Sequence, residues 1–308
     1  MRGLTRIAWI GVGTLTIGAA ALLVPQHLQT RGIAPRLPAT EELLALRDVA
    51  DGPTRVELLT VASQESPRGT IAHTVVVAHW ADGRGFMIDA GMDRGGAAEF
   101  AGLLKMLSGA GDGRFHGDVA EQLGPAVRDI EGVAFTHLHI DHTQGLGAFC
   151  AARGRGAAVY QTSWQAEEHN LNTTEGAEIV RGSCLDARVL RGEGLIPIDG
   201  FPGLAVVPLG GHTPGSTLFA VAVDGRLWLF SGDTTNTKAS LLDDVGKGFF
   251  YSWVLVPENT ARTAELRRWL AELDSREDTT VIVSHDAEDA TANRLPAYGG
   301  TAPNLSRP

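Results

Sequence analysis

The sequence has few cysteines and no cluster of basic residues. Only two cysteines, Cys150 and Cys184, occur among 308 residues, which excludes a cysteine-rich zinc module or a scaffold held by several disulfides. Lysine and arginine number 26 against 36 aspartates and glutamates, and the formal net charge is −10. A surface that follows nucleic-acid phosphates needs concentrated positive charge, so the composition argues against a nucleic-acid partner.

The remaining composition is that of an ordinary globular protein. Hydrophobic residues make up 44% of the chain and charged residues 20%, enough apolar material for one large domain or two small ones. The two cysteines allow two interpretations. They form one disulfide if the body of the chain lies in an oxidising compartment, or each is a small buried apolar residue, and the sequence does not give the Cα separation that decides between them.

Residues 1–30 differ from the rest of the chain. Arg2 and Arg6 are the only charged residues before an uncharged apolar run from Ile7 to Val24. This pattern predicts an export signal or a membrane anchor, and the weak cleavage site slightly favours an uncleaved anchor. We therefore expect the body of the chain to be exported to the periplasm or another extracytoplasmic space, with membrane association through residues 7–24.

The chain beyond the N-terminal segment divides into three parts. Residues 31–54 are rich in proline and arginine and predict a linker, residues 55–294 predict the functional domain, and residues 295–308 predict a loose tail. Within the domain, short β-rich runs are followed by helical stretches, and an Asp224-Gly225 pair marks a hairpin turn. Two β-rich halves with this arrangement predict a single α/β domain built around packed sheets.

A cluster of histidines follows the apolar strand "GVAF". The stretch "THLHIDH", residues 136–142, places three histidines and an aspartate within six positions. His137 and His139 share a face as the strand leaves the sheet, because side chains two apart point the same way. Asp141 and His142 are expected in the turn that follows. Three later strands also end in a residue able to bind a metal, so the candidate ligands are His137, His139, Asp141, His142, His212, Asp233 and His285.

This set of side chains suits a pair of metal ions. Neutral imidazoles together with carboxylates favour borderline divalent ions, with Zn²⁺ first and Fe²⁺ or Mn²⁺ as alternatives. Seven ligands are too many for one tetrahedral ion, but they fit two ions that share a carboxylate and keep positions open for water and substrate. The remaining histidines are expected to be ordinary core or surface residues: His27, His73, His79, His116 and His169.

The motifs resemble those of the metallo-β-lactamase superfamily of hydrolases. "MIDAG", "THLHIDH", "GGHTPGS", "SGDTT" and "VSHD" occur in the family's order. The resemblance implies an αββα sandwich, in which two mixed β-sheets are flanked by helices and a dinuclear site lies at one edge. It also implies that Asp89 orients a metal ligand. The implied ligand sets are His137, His139 and His212 for the first ion, Asp141, His142 and His285 for the second, and Asp233 as the bridge.

The resemblance further implies a hydrolase that uses a metal-bridged hydroxide on a small acyl substrate. An ester or lactone similar to an acyl-homoserine lactone is favoured, with Asp141 and Asp233 as the catalytic carboxylates. A β-lactamase-like amide hydrolase and a thioesterase of the glyoxalase II type are the alternatives. A non-catalytic scaffold is disfavoured because all seven ligand positions are intact. The oligomeric state stays open.

One position departs from the lactonase pattern. Lactonases of this family usually carry a tyrosine three residues after the bridging aspartate, where this chain has Asn236. Tyr251 is a candidate to replace it. Phe249, Phe250 and Trp253 of the same segment could wall a pocket for an acyl chain, or they could be core residues of a long loop.

Overall fold

The structure is a computed structural model that describes residue 18 and residues 20–299. The apolar run of residues 7–24, predicted to be a signal or an anchor, therefore lies mostly outside the described residues. Across the described part of the chain, no helix combines the length and the apolar character needed to cross a membrane.

A seven-stranded mixed sheet forms one half of the fold. Its strands are β1 (Arg55–Ser66), β2 (Gly69–His79), β3 (Gly85–Ile88), β4 (Gly113–Phe115), β5 (Ile130–Ala134), β6 (Ala158–Thr162) and β7 (Asp186–Leu190). Their order is β4-β1-β2-β3-β5-β6-β7. Pairing is antiparallel from β1 to β3 and parallel from β3 through β5 and β6 to β7.

A five-stranded mixed sheet forms the other half. Its strands are β8 (Ile196–Pro197), β9 (Leu204–Pro208), β10 (Thr217–Val223), β11 (Arg226–Phe230) and β12 (Thr279–Ile282), in the order β12-β11-β10-β9-β8. The predicted hairpin joins β10 to β11. Asp224 and Gly225 both have positive φ, 50° and 76°, as a two-residue turn that follows the twist of its strands requires.

Helices flank the two sheets. They are α1 (residues 20–32), α2 (Thr40–Leu44), α3 (Arg94–Ser108), α4 (Val119–Leu123), α5 (Ile140–Thr143), α6 (Leu146–Arg153), α7 (Ser163–Glu167), α8 (Thr174–Arg181), α9 (Lys238–Leu242), α10 (Thr260–Asp274) and α11 (Ala287–Ala292). Short 3₁₀ segments lie at Ala45–Asp48, Gly124–Asp129 and Gly232–Thr234, and a π-helical turn lies at Tyr251–Leu255.

Apolar side chains alternate between the two faces of each sheet, and this alternation produces the layers of the fold. On β2, Val76 points into the core between the two sheets, whereas Val77 points to the helices outside the first sheet. On β10, Phe219 joins the same central core and Leu218 packs toward α10. Side chains alternate between the faces of a strand, so strands with apolar residues on both faces need a partner layer on each side. The predicted αββα sandwich is confirmed.

Parts of the predicted linker and tail pack on the domain. Leu43 and Leu46 are buried in the core outside the second sheet, and Arg262 Nη2 donates to the carbonyl oxygen of Pro35 at 2.6 Å. At the other end, Leu295 is buried, and the Tyr298 amide donates to the carbonyl oxygen of Leu58 at 2.9 Å. Both segments thus contribute contacts to the folded body.

The two cysteines form a disulfide between α6 and the segment after α8. The Cα atoms of Cys150 and Cys184 are 5.7 Å apart, and the bond closes a separation of 34 residues. Replacing both cysteines with serine should lower the free energy of unfolding by about 3–4 kcal/mol, because the bond restricts the unfolded chain. Guanidinium unfolding of the native protein, of its reduced form and of the double variant measures this effect. Equal unfolding midpoints for the oxidised and reduced protein would contradict it.

Candidate metal centre

All seven predicted ligands meet at one edge of the sandwich, where several strands end. His137 follows β5, His139 caps the N-terminus of α5, and Asp141 and His142 lie within α5. A short helix therefore replaces the turn expected for these two residues. The second sheet supplies the others after β9, β11 and β12: His212, Asp233 and His285.

Three imidazoles form the first half of the centre. The ring centroids of His137 and His139 are 4.4 Å apart, and each lies 4.8 Å from the ring of His212. The Nε2 atoms of all three are buried and lack a hydrogen-bond partner. Buried polar atoms without partners are rare in folded proteins. Three such atoms facing one another form a group that could hold a metal ion.

Asp141, His142 and His285 form the second half. Asp141 Oδ2 lies 3.6 Å from His142 Nε2 and 3.7 Å from His285 Nε2. Burial alone would raise the pKa of Asp141, but the neighbouring His142 and His73 imidazoles hold the pKa well below its usual value. The carboxylate is therefore ionised near neutral pH, the form that binds cations.

Asp233 contacts both halves. Its Oδ2 lies 3.0 Å from His285 Nε2 and 3.7 Å from His212 Nε2. Its Oδ1 lies 3.5 Å from His142 Nε2. A single carboxylate placed between two sets of nitrogen ligands fits the shared ligand of a dinuclear site.

Contacts outside the ligand set fix the orientation of the rings. The Nδ1 of His142 donates to Asp89 Oδ2 at 2.9 Å, and Asp89 also accepts from the amide of Thr136 at 2.7 Å. The Nδ1 of His285 donates to the carbonyl oxygen of Ala72 at 2.8 Å. An acceptor at Nδ1 leaves the Nε2 lone pair free for a metal, and this is how proteins usually orient ligating histidines. Asp89 thus occupies the place that the resemblance implies.

Glu258 and Lys247 surround His212. Glu258 Oε1 accepts from His212 Nδ1 at 2.6 Å. Lys247 Nζ is 3.6 Å from Glu258 Oε1 and 3.7 Å from Asp233 Oδ2, with its side chain only 5% exposed. Burial would raise the pKa of Glu258, but Lys247 and His212 lower the pKa to about 2. A buried ammonium group therefore stands beside the proposed bridge.

The imidazoles of the first half are suited to bind cations near neutral pH. Burial, together with the neighbouring imidazoles, lowers the pKa of His137 well below its usual value and that of His139 to about 3. Both rings are consequently neutral at pH 7. A neutral imidazole is the form that donates its lone pair to a metal.

Sequence reasoning missed three residues of this region: His73, Lys247 and Glu258. His73 was expected to be an ordinary core or surface histidine, but its Nδ1 lies 3.2 Å from Asp141 Oδ2. The one available signal was a histidine inside the otherwise apolar strand "TIAHTVVVAH". Lys247 and Glu258 lie in a segment without regular periodicity, and no motif marks them.

The aromatic segment near the centre is not a core. Phe249 is 73% exposed and Phe250 is 58% exposed. Tyr251 turns inward, with its ring 6.4 Å from that of His212 and nearly parallel to it. Asn236, at the position of the usual lactonase tyrosine, has a buried Oδ1 without a hydrogen-bond partner. The segment therefore places Tyr251 next to the first half of the centre, and the exposed Phe249 and Phe250 directly precede it in the chain.

Comparisons with known proteins agree with this geometry. A family model described as the metallo-beta-lactamase superfamily matches residues 68–285. No curated protein sequence matches the chain.

Solved structures of lactonases share the fold. One is an N-acyl homoserine lactone hydrolase with the product N-hexanoyl-L-homoserine bound at its catalytic metal centre. It has 16% sequence identity to this chain and a TM-score of 0.59, and the match covers 79% of this chain and 98% of that one. A B. thuringiensis enzyme with N-decanoyl-L-homoserine at its active site gives the same four values. A dizinc quorum-quenching lactonase, AidC, has 15% identity and a TM-score of 0.51, covering 76% of this chain and 88% of that one. At these identities the likeness concerns the fold alone.

Proposed function

Because the chain belongs to the metallo-beta-lactamase superfamily, we propose that it is a dinuclear metal-dependent hydrolase that cleaves an ester or lactone bond. One observation carries the proposal. Four histidines, His137, His139, His142 and His212, have buried, unpartnered Nε2 atoms in the centre, and the oxygens of Asp233 lie 3.5 Å from that of His142 and 3.7 Å from that of His212. Divalent cations, with Zn²⁺ preferred, would satisfy all of these atoms at once.

The chemistry divides between the cations and the protein. Divalent ions held by the seven side chains would supply the Lewis acidity that activates water near neutral pH. Asp233 sets the separation of the two ligand groups. Asp141 Oδ2 lies beside the imidazoles of His73 and His142, and we assign to this carboxylate the relay of a proton toward the leaving oxygen.

Lys247 supplies a donor for the substrate. Its ammonium group is buried and lies 3.4 Å from His212 Nδ1 and 3.7 Å from Asp233 Oδ2. A fixed positive donor in a site shielded from water stabilises negative charge that develops on a carbonyl oxygen. We assign this role to Lys247, since Asn236 stands where lactonases usually carry a tyrosine.

An acyl chain fits the surroundings of the centre. The exposed rings of Phe249 and Phe250 adjoin Tyr251, whose ring faces the ligand His212. Large exposed apolar side chains grouped at the mouth of a site are typical of ligand-binding surfaces. The N-acyl-homoserine products bound by the neighbouring structures support the same substrate class, a lactone that carries an N-acyl chain.

The test is a substrate panel assayed with the purified, zinc-loaded full chain. We expect opening of N-hexanoyl and N-decanoyl homoserine lactones to exceed turnover of a β-lactam, a thioester and a phosphodiester. Replacing Phe249 and Phe250 with serine should raise KM for the decanoyl lactone by about 10-fold, because losing about 1.4 kcal/mol of apolar contact weakens binding tenfold, and should change KM for the hexanoyl lactone less. Turnover of the β-lactam or thioester without lactone opening would contradict the proposed substrate class.

We further propose that the folded body functions outside the cytoplasm. The disulfide between Cys150 and Cys184 supports this location, because such bonds persist in oxidising compartments and are rare in the cytosol. Thiol alkylation of freshly lysed cells tests it. A fully alkylated pool of the protein would contradict the proposal.

A further inference from the structure

We infer that His73 is an eighth metal ligand and completes the coordination of the second ion. The inference rests on the proposed dinuclear centre and adds a ligand from β2, a strand that contributes none of the seven residues found from the motifs. The group formed by His73, Asp141 and His285 has all its ligand atoms within 4.8 Å of one another.

The contact between His73 and Asp141 has the geometry of two ligands on one ion. His73 Nδ1 lies 3.2 Å from Asp141 Oδ2, yet the nitrogen is buried and makes no hydrogen bond of acceptable angle. Two donor atoms that each lie about 2.0–2.2 Å from a shared ion are separated by roughly 3 Å. The Nδ1 atom of His73 therefore belongs with the unpartnered Nε2 atoms of the other histidines.

The backbone holds His73 in place next to His285. Thr74 Oγ1 donates to the carbonyl oxygen of Ser284 at 2.7 Å, and His285 Nδ1 donates to the carbonyl oxygen of Ala72 at 2.8 Å. The two imidazole rings lie edge to face, with centroids 5.0 Å apart. These bonds on either side of His73 fix the position of β2 relative to the end of β12.

The sheet is irregular beside His73. The pairing of β1 with β2 shifts register between Thr60 and Ala62, and Ala62 pairs with His73. The extra residue at this point is Val61. β-Bulges re-aim side chains and occur often beside functional sites. His73 thus lies on β2 opposite a bulge of the neighbouring strand β1, a local feature common near functional sites.

The two ions would then differ in their protein ligands. The first ion has three imidazoles and the shared Asp233. The second ion has five protein ligands: His73, Asp141, His142, His285 and the shared Asp233. Five ligands exceed the tetrahedral set that Zn²⁺ prefers in structural sites, so the second ion is expected to have a coordination number of at least five.

Metal titration of the full chain tests the inference without any substrate. The protein is stripped with a chelator and titrated with Zn²⁺ and, separately, with Co²⁺. We expect His73→Ala to bind the first ion with native affinity. Its affinity for the second ion should fall by about 10- to 100-fold or more, since mutating residues that only orient metal ligands already lowers metal affinity by this much. The visible spectrum of Co²⁺ in the second site should change as well.

An asparagine variant separates a ligand from a residue that merely orients Asp141. The side-chain amide of His73→Asn can still donate a hydrogen bond to Asp141, but an amide is a weak ligand for these metals. We therefore expect His73→Asn to lose affinity as the alanine variant does. Native affinity in either variant, or recovery by asparagine alone, would overturn the inference.

Two controls complete the experiment. His79→Ala removes an imidazole from the same strand at a residue that pairs with Glu57, and it should leave both affinities unchanged. His73 lines a cavity of about 430 Å³ together with Arg94 and Phe115, so truncation enlarges an existing cavity, and thermal unfolding checks the fold. If the native protein and both His73 variants bind two ions with the same affinity, His73 is not a ligand, but the dinuclear centre stands. If the native protein binds no ions, the dinuclear function itself is wrong.

Discussion

Asp233→Ala is expected to lower the bound metal from two ions to at most one and to reduce kcat/KM by at least about 1,000-fold. Asp233 contacts both halves of the centre, with Oδ2 3.7 Å from His212 Nε2 in the first half and Oδ1 3.5 Å from His142 Nε2 in the second. Loss of a residue that orients metal ligands typically lowers metal affinity or activity 10- to 100-fold. Loss of a ligand shared by both ions should lower them further. Metal analysis of dialysed protein and steady-state kinetics measure the two effects together.

Asp199→Ala is the matched control for this variant. Asp199 is an exposed aspartate between β8 and β9 and is not part of the centre. We expect this control to keep two ions and native turnover. Native metal content or native turnover in Asp233→Ala would show that the carboxylate does not bridge the two halves.

Lys247→Met is expected to reduce kcat by about 100- to 1,000-fold while both ions remain bound. This range is the effect of deleting one donor that stabilises developing charge on a substrate oxygen. Methionine keeps the length and apolar character of the side chain and removes the charge. KM should change less than kcat, because the interaction strengthens as negative charge forms on the carbonyl oxygen.

Lys105→Met serves as the control for the lysine variant. Lys105 lies on α3 with 59% of its side chain exposed and pairs with Asp112 at 2.6 Å, so its loss should leave kcat unchanged. Metal analysis must accompany the kinetics. If Lys247→Met retained native kcat, or lost metal in proportion to activity, Lys247 would not act on the substrate.

Much of the centre could be predicted because its ligands follow local rules. His137 and His139 were predicted to lie together because they are two residues apart after a strand, and the structure keeps their rings together in the segment between β5 and α5. His212, Asp233 and His285 each follow an apolar strand, and the ends of such strands meet at one edge. The resemblance of the motifs to a known family then supplied the αββα arrangement.

Some residues of the centre were not predicted because the pairing of distant strands and the path of an irregular segment bring them there. His73 enters the centre from β2, opposite a bulge at Val61 of the neighbouring strand, and sequence periodicity does not reveal which strands adjoin the centre. Lys247 approaches Asp233 because its irregular segment folds over His212. Strand β7 was also missed, since four of its five residues are exposed and it lacks the apolar alternation of a half-buried strand.

The cysteines illustrate a similar limit. Cys150 and Cys184 are 34 residues apart, and nothing in that spacing states whether their Cα atoms approach each other. The end of α6 and the segment after α8 bring the two together. Pairing at this distance depends on how the helices pack on the first sheet, which local sequence patterns do not encode.

Counting metal ions in crystals of the zinc-loaded chain tests the central claim most directly. Anomalous scattering at the zinc edge locates each ion and identifies its ligands. The account predicts two ions per chain that share Asp233, one held by His137, His139 and His212 and the other by Asp141, His142 and His285. A single ion, or two ions without a common carboxylate, would contradict it.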